Sequence, residues 1–284
     1  MGSDLNKAEA DFYFEAHSWP ELQAFFERTP QPANEIPEKF SSLRGKCYVC
    51  GKEVEFEVLR LEGSAPINWR ETVSCPSCGL ITRWRASVHM FETLLDPGIG
   101  DRVYITEELT ALFKVLRSRH PGAVGSEFCD GTEPGEQFQV GSYTARHEDL
   151  TELSFGDSSF DHVLTFDVLE HVPDYRIALS ECHRILAPGG QILISVPFCF
   201  AEKTEVRARL SGGRIEHLME PIYHGNPTQN NEILCYYHFG MDLLDELEKV
   251  GFGECRAVGF VSRRWGYFIF DVMFAARKPQ VFRQ

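Results

Sequence analysis

The chain has 284 residues, 43% of them hydrophobic, which is enough for one large domain and a smaller one, each with its own core. Forty-two acidic residues against 28 basic ones give a formal net charge of −14, which disfavours nucleic acid as the main partner, because phosphate binding needs a basic face. No run approaches the ~18 apolar residues of a membrane span, and Met1 to Lys7 shows no basic stretch leading into an apolar one, so neither a transmembrane helix nor a secretory signal is expected.

Three regions follow in chain order. Residues 1–44 read as a helical segment. Ser18-Trp19-Pro20-Glu21 has the form of a capping box, with Leu22, Phe25 and Phe26 at helical spacing behind it and Thr29-Pro30-Gln31-Pro32 as the stop. Residues 45–95 carry two Cys-x-x-Cys pairs, a strand-like Glu53–Leu61 and a linker helix. From residue 96 to 284, strand-like and helix-like stretches alternate, which predicts a parallel sheet flanked by helices. The expected strands are Arg102–Thr106, Ala123–Phe128, Tyr143–Arg146, Phe160–Phe166 and Gln191–Val196. The expected helices are Glu107–Arg119, Tyr175–Leu186 and Met241–Val250. Two β-rich runs, Cys255–Val261 and Tyr267–Ala275, should add an antiparallel edge. The stretch 201–239 reads as a loop inserted after the fifth strand.

Four of the nine cysteines form the pairs, Cys47-Tyr48-Val49-Cys50-Gly51 and Cys75-Pro76-Ser77-Cys78-Gly79. Each pair can place two thiolates on one tetrahedral ion, and the following glycine lets the chain turn around the sulfurs. Together they predict a structural zinc held by Cys47, Cys50, Cys75 and Cys78 in a small ribbon-like module. The other five, Cys129, Cys182, Cys199, Cys235 and Cys255, are scattered in apolar or strand-like stretches. That usage fits a reducing, cytoplasmic setting with buried thiols and not a disulfide framework. Arg83-Trp84-Arg85, just beyond, has the composition to grip a phosphate or stack on a base, or to form a solvated face.

Asp149 to Val172, through Ser159-Phe160-Asp161 and Leu169-Glu170-His171, resembles the class I S-adenosylmethionine-dependent methyltransferases with a type 11-like domain. So does Ala178 to Pro197, through Arg184-Ile185-Leu186-Ala187-Pro188-Gly189-Gly190. One small departure is Ser154, where the pattern has proline. The resemblance implies a Rossmann-like sheet with helices on both faces and S-adenosylmethionine across the carboxyl ends of its strands. It implies ribose contacts from Glu127 and adenine contacts from Asp149 and Leu150. Thr106 and Glu107 would flank the cofactor after the first strand, and Phe166 and Asp167 would sit near its methionine end.

A larger departure lies after the first strand. The family has Gly-x-Gly-x-Gly there, and this chain has Thr106-Glu107-Glu108-Leu109-Thr110. Two carboxylates occupy a turn where glycine normally lets backbone approach the cofactor. They could pair with the cofactor's ammonium, repel its carboxylate or fill the site.

The expected reaction is displacement at the methyl carbon, with a histidine as base near neutral pH. His171, directly after the fourth strand, and His224, in the inserted loop, are the candidates, facing each other across the transferred methyl. The loop's Glu220 to Pro227 and Tyr236 to Phe239 suit a small polar ring. The leading expectation is O- or N-methyl transfer to a small molecule or glycan intermediate. One alternative is an RNA methyltransferase, since some rRNA methyltransferases carry a zinc module ahead of this fold. The other is a methyltransferase-like scaffold without cofactor. Nothing in the sequence fixes an oligomeric state.

Overall fold

The computed structural model describes residues 13–37, 40, 43–59, 66–225 and 232–280. The first twelve residues, the Leu61 end of the expected ribbon strand and Asn226-Pro227 lie outside them. Two compact units divide the chain, Met1–Pro97 with Val258–Val272 and Gly98–Ala257 with Met273–Gln284. The boundary differs from the sequence reading, because the distal part of the C-terminal hairpin goes with the N-terminal unit.

In the first unit, β1 (Tyr13–Ala16) leads into α1 (Trp19–Arg28). Leu22 and Phe25 face inward, and the Phe25 ring stacks on Phe14 at 4.5 Å. Ser18 makes no side-chain cap; Glu21 instead accepts from the His17 N–H at 2.8 Å, so half of the expected capping box forms, shifted by one residue. Next, β2 (Leu43–Lys46), β3 (Glu53–Val58) and β4 (Val73–Ser74) form an antiparallel three-stranded ribbon, followed by α2 (Thr82–Met90). Leu43, Phe56, Val73 and Phe268 pack with Cys47 and Cys75 into one small core. Arg85 is fully buried there. Its guanidinium donates to the Trp265 and Gly266 carbonyls at 2.7 and 3.1 Å and lies 4.2 Å over the Phe56 ring, while Arg83 pairs with Glu71 at 2.9 Å. The Arg83-Trp84-Arg85 stretch is therefore a structural clasp, not the exposed grip for phosphate that its composition permits.

The second unit runs β5 (Val103–Ile105), α3 (Ala111–Arg119), β6 (Ala123–Gly125), β7 (Gln137–Val140), β8 (Tyr143–Arg146), β9 (Phe160–Phe166), α4 (Tyr175–Ile185) and β10 (Leu186–Ser195). Short ribbons fill the insertion: β11 (Glu205–Val206), β12 (Ala208–Ser211), β13 (Arg214–His217), β14 (Tyr223–Gly225), β15 (Glu232–Leu234) and β16 (Tyr237–His238). Then come α5 (Leu243–Val250), β17 (Gly253–Ser262) and β18 (Tyr267–Arg277). The seven-stranded sheet has the order β1-β17-β18-β10-β9-β5-β6. Strands β10, β9, β5 and β6 pair in parallel, and β18 pairs antiparallel with β10. Helix α3 joins β5 to β6 and α4 joins β9 to β10, the crossover that parallel neighbours need. This is a mixed α/β architecture with the carboxyl ends of four parallel strands on one edge.

Two expectations are corrected. β8 is not a strand of the main sheet. It pairs with β7, and only an isolated parallel bridge, Glu127 to His147, links that hairpin to the end of β6. Its exposed Tyr143 and Thr144 are too polar in setting for an interior strand. The α3 helix starts at Ala111 and not at Glu107, because Thr110 caps it, accepting from the Phe113 N–H at 3.2 Å.

Candidate functional site

At the ends of β5 and β6 the chain compensates for its missing glycines. Glu127 Oε1 accepts from the N–H groups of both Glu108 and Leu109, at 2.9 and 2.8 Å. Burial raises the Glu127 carboxyl and these two bonds oppose it. Glu108 turns outward from this turn to accept from the Arg146 N–H at 2.7 Å, and Glu107 is buried, 6% exposed. The turn also passes close to β6: a Cβ on Gly125 would lie 2.7 Å from the Glu107 carbonyl. So Glu127 is already the anchor of the turn, through Oε1. Thr106, beside it, is buried.

Asp149 is half-buried, and its Oδ1 accepts from the Thr151 N–H and hydroxyl, both at 2.7 Å. Leu150 next to it is buried. Ser154 has a reason to replace proline: its N–H donates to Glu148 Oε2 at 2.8 Å and its hydroxyl to Oε1 at 2.6 Å. Proline has no N–H to give. At the end of β9, Phe166 is buried and Asp167 adopts a left-handed φ of 55°. The Ser195 hydroxyl, 3.1 Å from Asp167 Oδ1, and the Asp167 N–H bonded to the Ser195 carbonyl hold that conformation. Strained backbone of this kind gathers at ligand sites.

The structure brings His171 and His224 together, but in contact. Their rings meet edge-to-face with centroids 5.1 Å apart, which leaves no space between them for a methyl group and its acceptor. The arrangement across the methyl that the sequence reading expected is corrected on that point. Glu170 Oε1 lies 3.7 Å from His171 Nε2 and 3.6 Å from His224 Nδ1, and Cys235 Sγ lies 3.4 Å from His224 Nδ1. Cys235 and Glu170 raise the His224 imidazole to about 10. The inserted loop's other aromatic group turns inward: Tyr237 and Phe239 pack on Tyr175, and the Tyr237 hydroxyl donates to the Pro173 carbonyl at 2.6 Å. Glu170 and Cys235 were missed as site residues. The first was visible only as part of Leu169-Glu170-His171, and the second only as one scattered thiol.

In the first unit, the four paired cysteines converge. Cys47 and Cys78 sulfurs are 3.7 Å apart, Cys50 and Cys75 sulfurs 3.8 Å, and all four lie within 4.8 Å of one another. A tetrahedron with zinc–sulfur bonds of about 2.3 Å has edges of about 3.8 Å. Both knuckles repeat one turn. The Gly51 N–H bonds the Cys47 carbonyl and the Gly79 N–H bonds the Cys75 carbonyl, each at 2.8 Å. Both glycines have positive φ, 69° and 73°, which a larger residue adopts only with strain.

Residues 95–194 match the methyltransferase domain family. Over 74 residues the chain is 36% identical to a probable S-adenosylmethionine-dependent methyltransferase of Mycolicibacterium smegmatis, covering 26% of this chain and 29% of that protein. Over 47 residues it is 49% identical to the demethylmenaquinone methyltransferase of Staphylococcus aureus, covering 16% of this chain and 20% of that one. The chain thus spans less than a third of the length of these relatives. Among solved structures, an S-adenosylmethionine-dependent methyltransferase from Mesorhizobium loti overlaps 67% of this chain and 97% of its own, at 15% identity and a TM-score of 0.43. A Burkholderia thailandensis 1,6-didemethyltoxoflavin-N1-methyltransferase overlaps 69% of this chain and 78% of its own, at 19% identity and a TM-score of 0.41. The domain match and the named relatives support an enzyme of the S-adenosylmethionine-dependent methyltransferase class.

Proposed function

We propose that the protein transfers a methyl group from S-adenosylmethionine to an oxygen or nitrogen of a small molecule or glycan intermediate. The observation that carries this reading is the domain match over residues 95–194, in which Leu169-Glu170-His171 follows the carboxyl end of β9 and Arg184 to Gly190 leads into β10. The residues present fit the cofactor. Glu127 Oε2 would take the ribose hydroxyls and Asp149 Oδ2 the adenine amine, beside Leu150. Thr106 and Glu107 would line the methionine end. Phe166, being buried, would contribute its backbone, and Asp167 would close that end of the cleft. The cofactor supplies an electrophilic methyl on a sulfonium. The protein supplies alignment, which can be worth ~7–11 kcal/mol. The net charge of −14 and the clasped Arg85 speak against RNA as the acceptor.

In the same reading, Cys47, Cys50, Cys75 and Cys78 hold a zinc ion. Four thiolates close its shell, so its role is to fold the ribbon and not to touch substrate. The test of the whole is calorimetric titration of the full chain with S-adenosylhomocysteine. Saturable 1:1 binding is expected. Absence of binding would favour the scaffold alternative, for which the tied-down turn at Glu127 is the one structural argument.

A further inference from the structure

A second group of metal-ligating side chains lies in the second unit, and the methyl-transfer reading does not use it. His171, His224 and Cys235 bring their ligand atoms within 4.8 Å of one another. Their placement follows from the local chain. His171 ends the short 3-10 turn Leu169–His171 just after β9. On the β14–β15 ribbon, His224 lies opposite Ile233. Cys235 is two residues beyond Ile233, so its side chain returns to the His224 face by the two-residue period of extended chain. The Cys235 N–H is fixed on the Ile222 carbonyl at 2.8 Å, and the Tyr236 N–H on the Glu170 carbonyl at 2.7 Å.

An independent observation points into this group. The Glu170 side chain is completely buried, and neither carboxylate oxygen has a hydrogen-bond partner. Burial raises its carboxyl. Its Oε1 sits 3.6–3.7 Å from the two imidazoles, too far for hydrogen bonds. A carboxylate buried in this way calls for a cation or a metal. Donors at about 2.0–2.3 Å from a tetrahedral ion stand about 3.3–3.6 Å apart, and Cys235 Sγ lies 3.4 Å from His224 Nδ1 and 3.3 Å from Nε2, so one nitrogen of that ring stands at such a distance from the thiol. The second shell is also in place. His171 Nδ1 lies 2.9 Å from the Leu234 carbonyl, which can only accept, so Nδ1 carries the proton and the Nε2 lone pair faces Glu170.

We propose that His171 Nε2, His224 and Cys235 Sγ form a second metal site, one that takes zinc, with the Glu170 carboxylate buried beside it. One thiolate and two imidazoles are a donor set that suits zinc. Binding displaces the protons of the Cys235 thiol and the His224 imidazole. The ion adds positive charge beside the buried Glu170 carboxylate and ties the β14–β15 ribbon to the end of β9. The site is a pin for the inserted segment over the carboxyl ends of the strands.

The test uses the full chain, stripped of loose metal, with metal content measured by mass spectrometry after loading with Zn²⁺. Two zinc ions per wild-type chain are expected. His224→Ala and Cys235→Ala should each hold one, and Cys75→Ser should keep the His171 site. His224 is partly exposed, at 38% of its side chain, so its replacement should leave the circular dichroism spectrum unchanged. Co²⁺ loading gives a second readout: the spectrum should resolve a tetrathiolate centre and a mixed nitrogen–sulfur centre, the latter lost in His224→Ala. One zinc in the wild type, still present in both His224→Ala and Cys235→Ala, would overturn the proposal. One zinc lost in Cys235→Ala but kept in Cys75→Ser would support it while removing the four-cysteine zinc.

Discussion

A single carboxylate can replace the conformational freedom of several glycines. In a glycine-rich turn the backbone has room to approach a ligand; here Glu127 pulls the Glu108 and Leu109 amides into a defined turn instead. The two duties of Glu127 can be separated by substitution. Glu127→Ala leaves two amides without their acceptor, at a cost of about 1–3 kcal/mol for each that stays buried, and both melting temperature and cofactor affinity should fall. Glu127→Gln keeps a carbonyl oxygen for the amides but loses the charged acceptor for ribose hydroxyls. Its melting temperature should stay near wild type while S-adenosylhomocysteine binding weakens by about tenfold or more. Calorimetry with thermal melts checks both, and unchanged affinity in both variants would remove Glu127 from the ribose site. His162 offers a pH prediction. It is buried on β9 with Nε2 2.9 Å from Asp101, and burial outweighs that partner and lowers its pKa. A histidine depressed in the fold contributes stability that is fully present above its unfolded value of about 6.5. That stability is lost as pH falls toward the folded value. Between pH 7.5 and 5.5 the wild type should lose stability, at no more than about 1.4 kcal/mol per pH unit from this group, and His162→Asn should lose less. Parallel melting curves of the two proteins across that range would contradict the assignment.

At the scale of elements, the parallel strands were legible because they are short apolar runs bounded by strong stops. Phe160–Phe166 matches its expected bounds, and Gly251 ends α5 as read, with φ 112°. Gly251→Ala should cost about 1 kcal/mol, a drop of about 2–4 °C in melting temperature at this size; an unchanged Tm would mean that the helix ends elsewhere. Less legible were β1 and the β7 partner of β8. Each is four residues long; β1 owes its state to the distant β17, and β7 to its hairpin partner β8 and not to its own pattern. The same reason hid Glu170 and Cys235 as site residues. Sixty-five positions of chain separate them, and only folding of the 201–239 insertion brings Cys235 to His224, whose rim contact with Glu170 completes the group. His171 and His224 could be nominated separately from sequence, but their ring contact could not.

At the scale of the whole molecule, the two units draw their stability from different sources. The second has the parallel strands and their apolar neighbours: Val163, Leu164, Ile192, Leu193 and Ile194 are all fully buried. The first has a ribbon whose small core includes two of the four clustered cysteines, Cys47 and Cys75. Ribbons of this size fold on metal, since the binding free energy of a structural zinc, about 10–16 kcal/mol in isolated modules at neutral pH, is folding free energy. Losing the four-cysteine zinc should therefore act on one unit and spare the other. Hydrogen exchange of Cys75→Ser should show protection lost over β2, β3 and β4. Over β5, β9 and β10 it should be retained. Because β5, β9 and β10 carry the proposed cofactor cleft, S-adenosylhomocysteine binding should survive in Cys75→Ser, and ligand at 100 times its Kd should still add about 2.7 kcal/mol to the stability of the second unit. Loss of protection across both units, with loss of that stabilisation, would mean that the metal folds the entire chain and that the apolar burial of β9 and β10 is insufficient by itself.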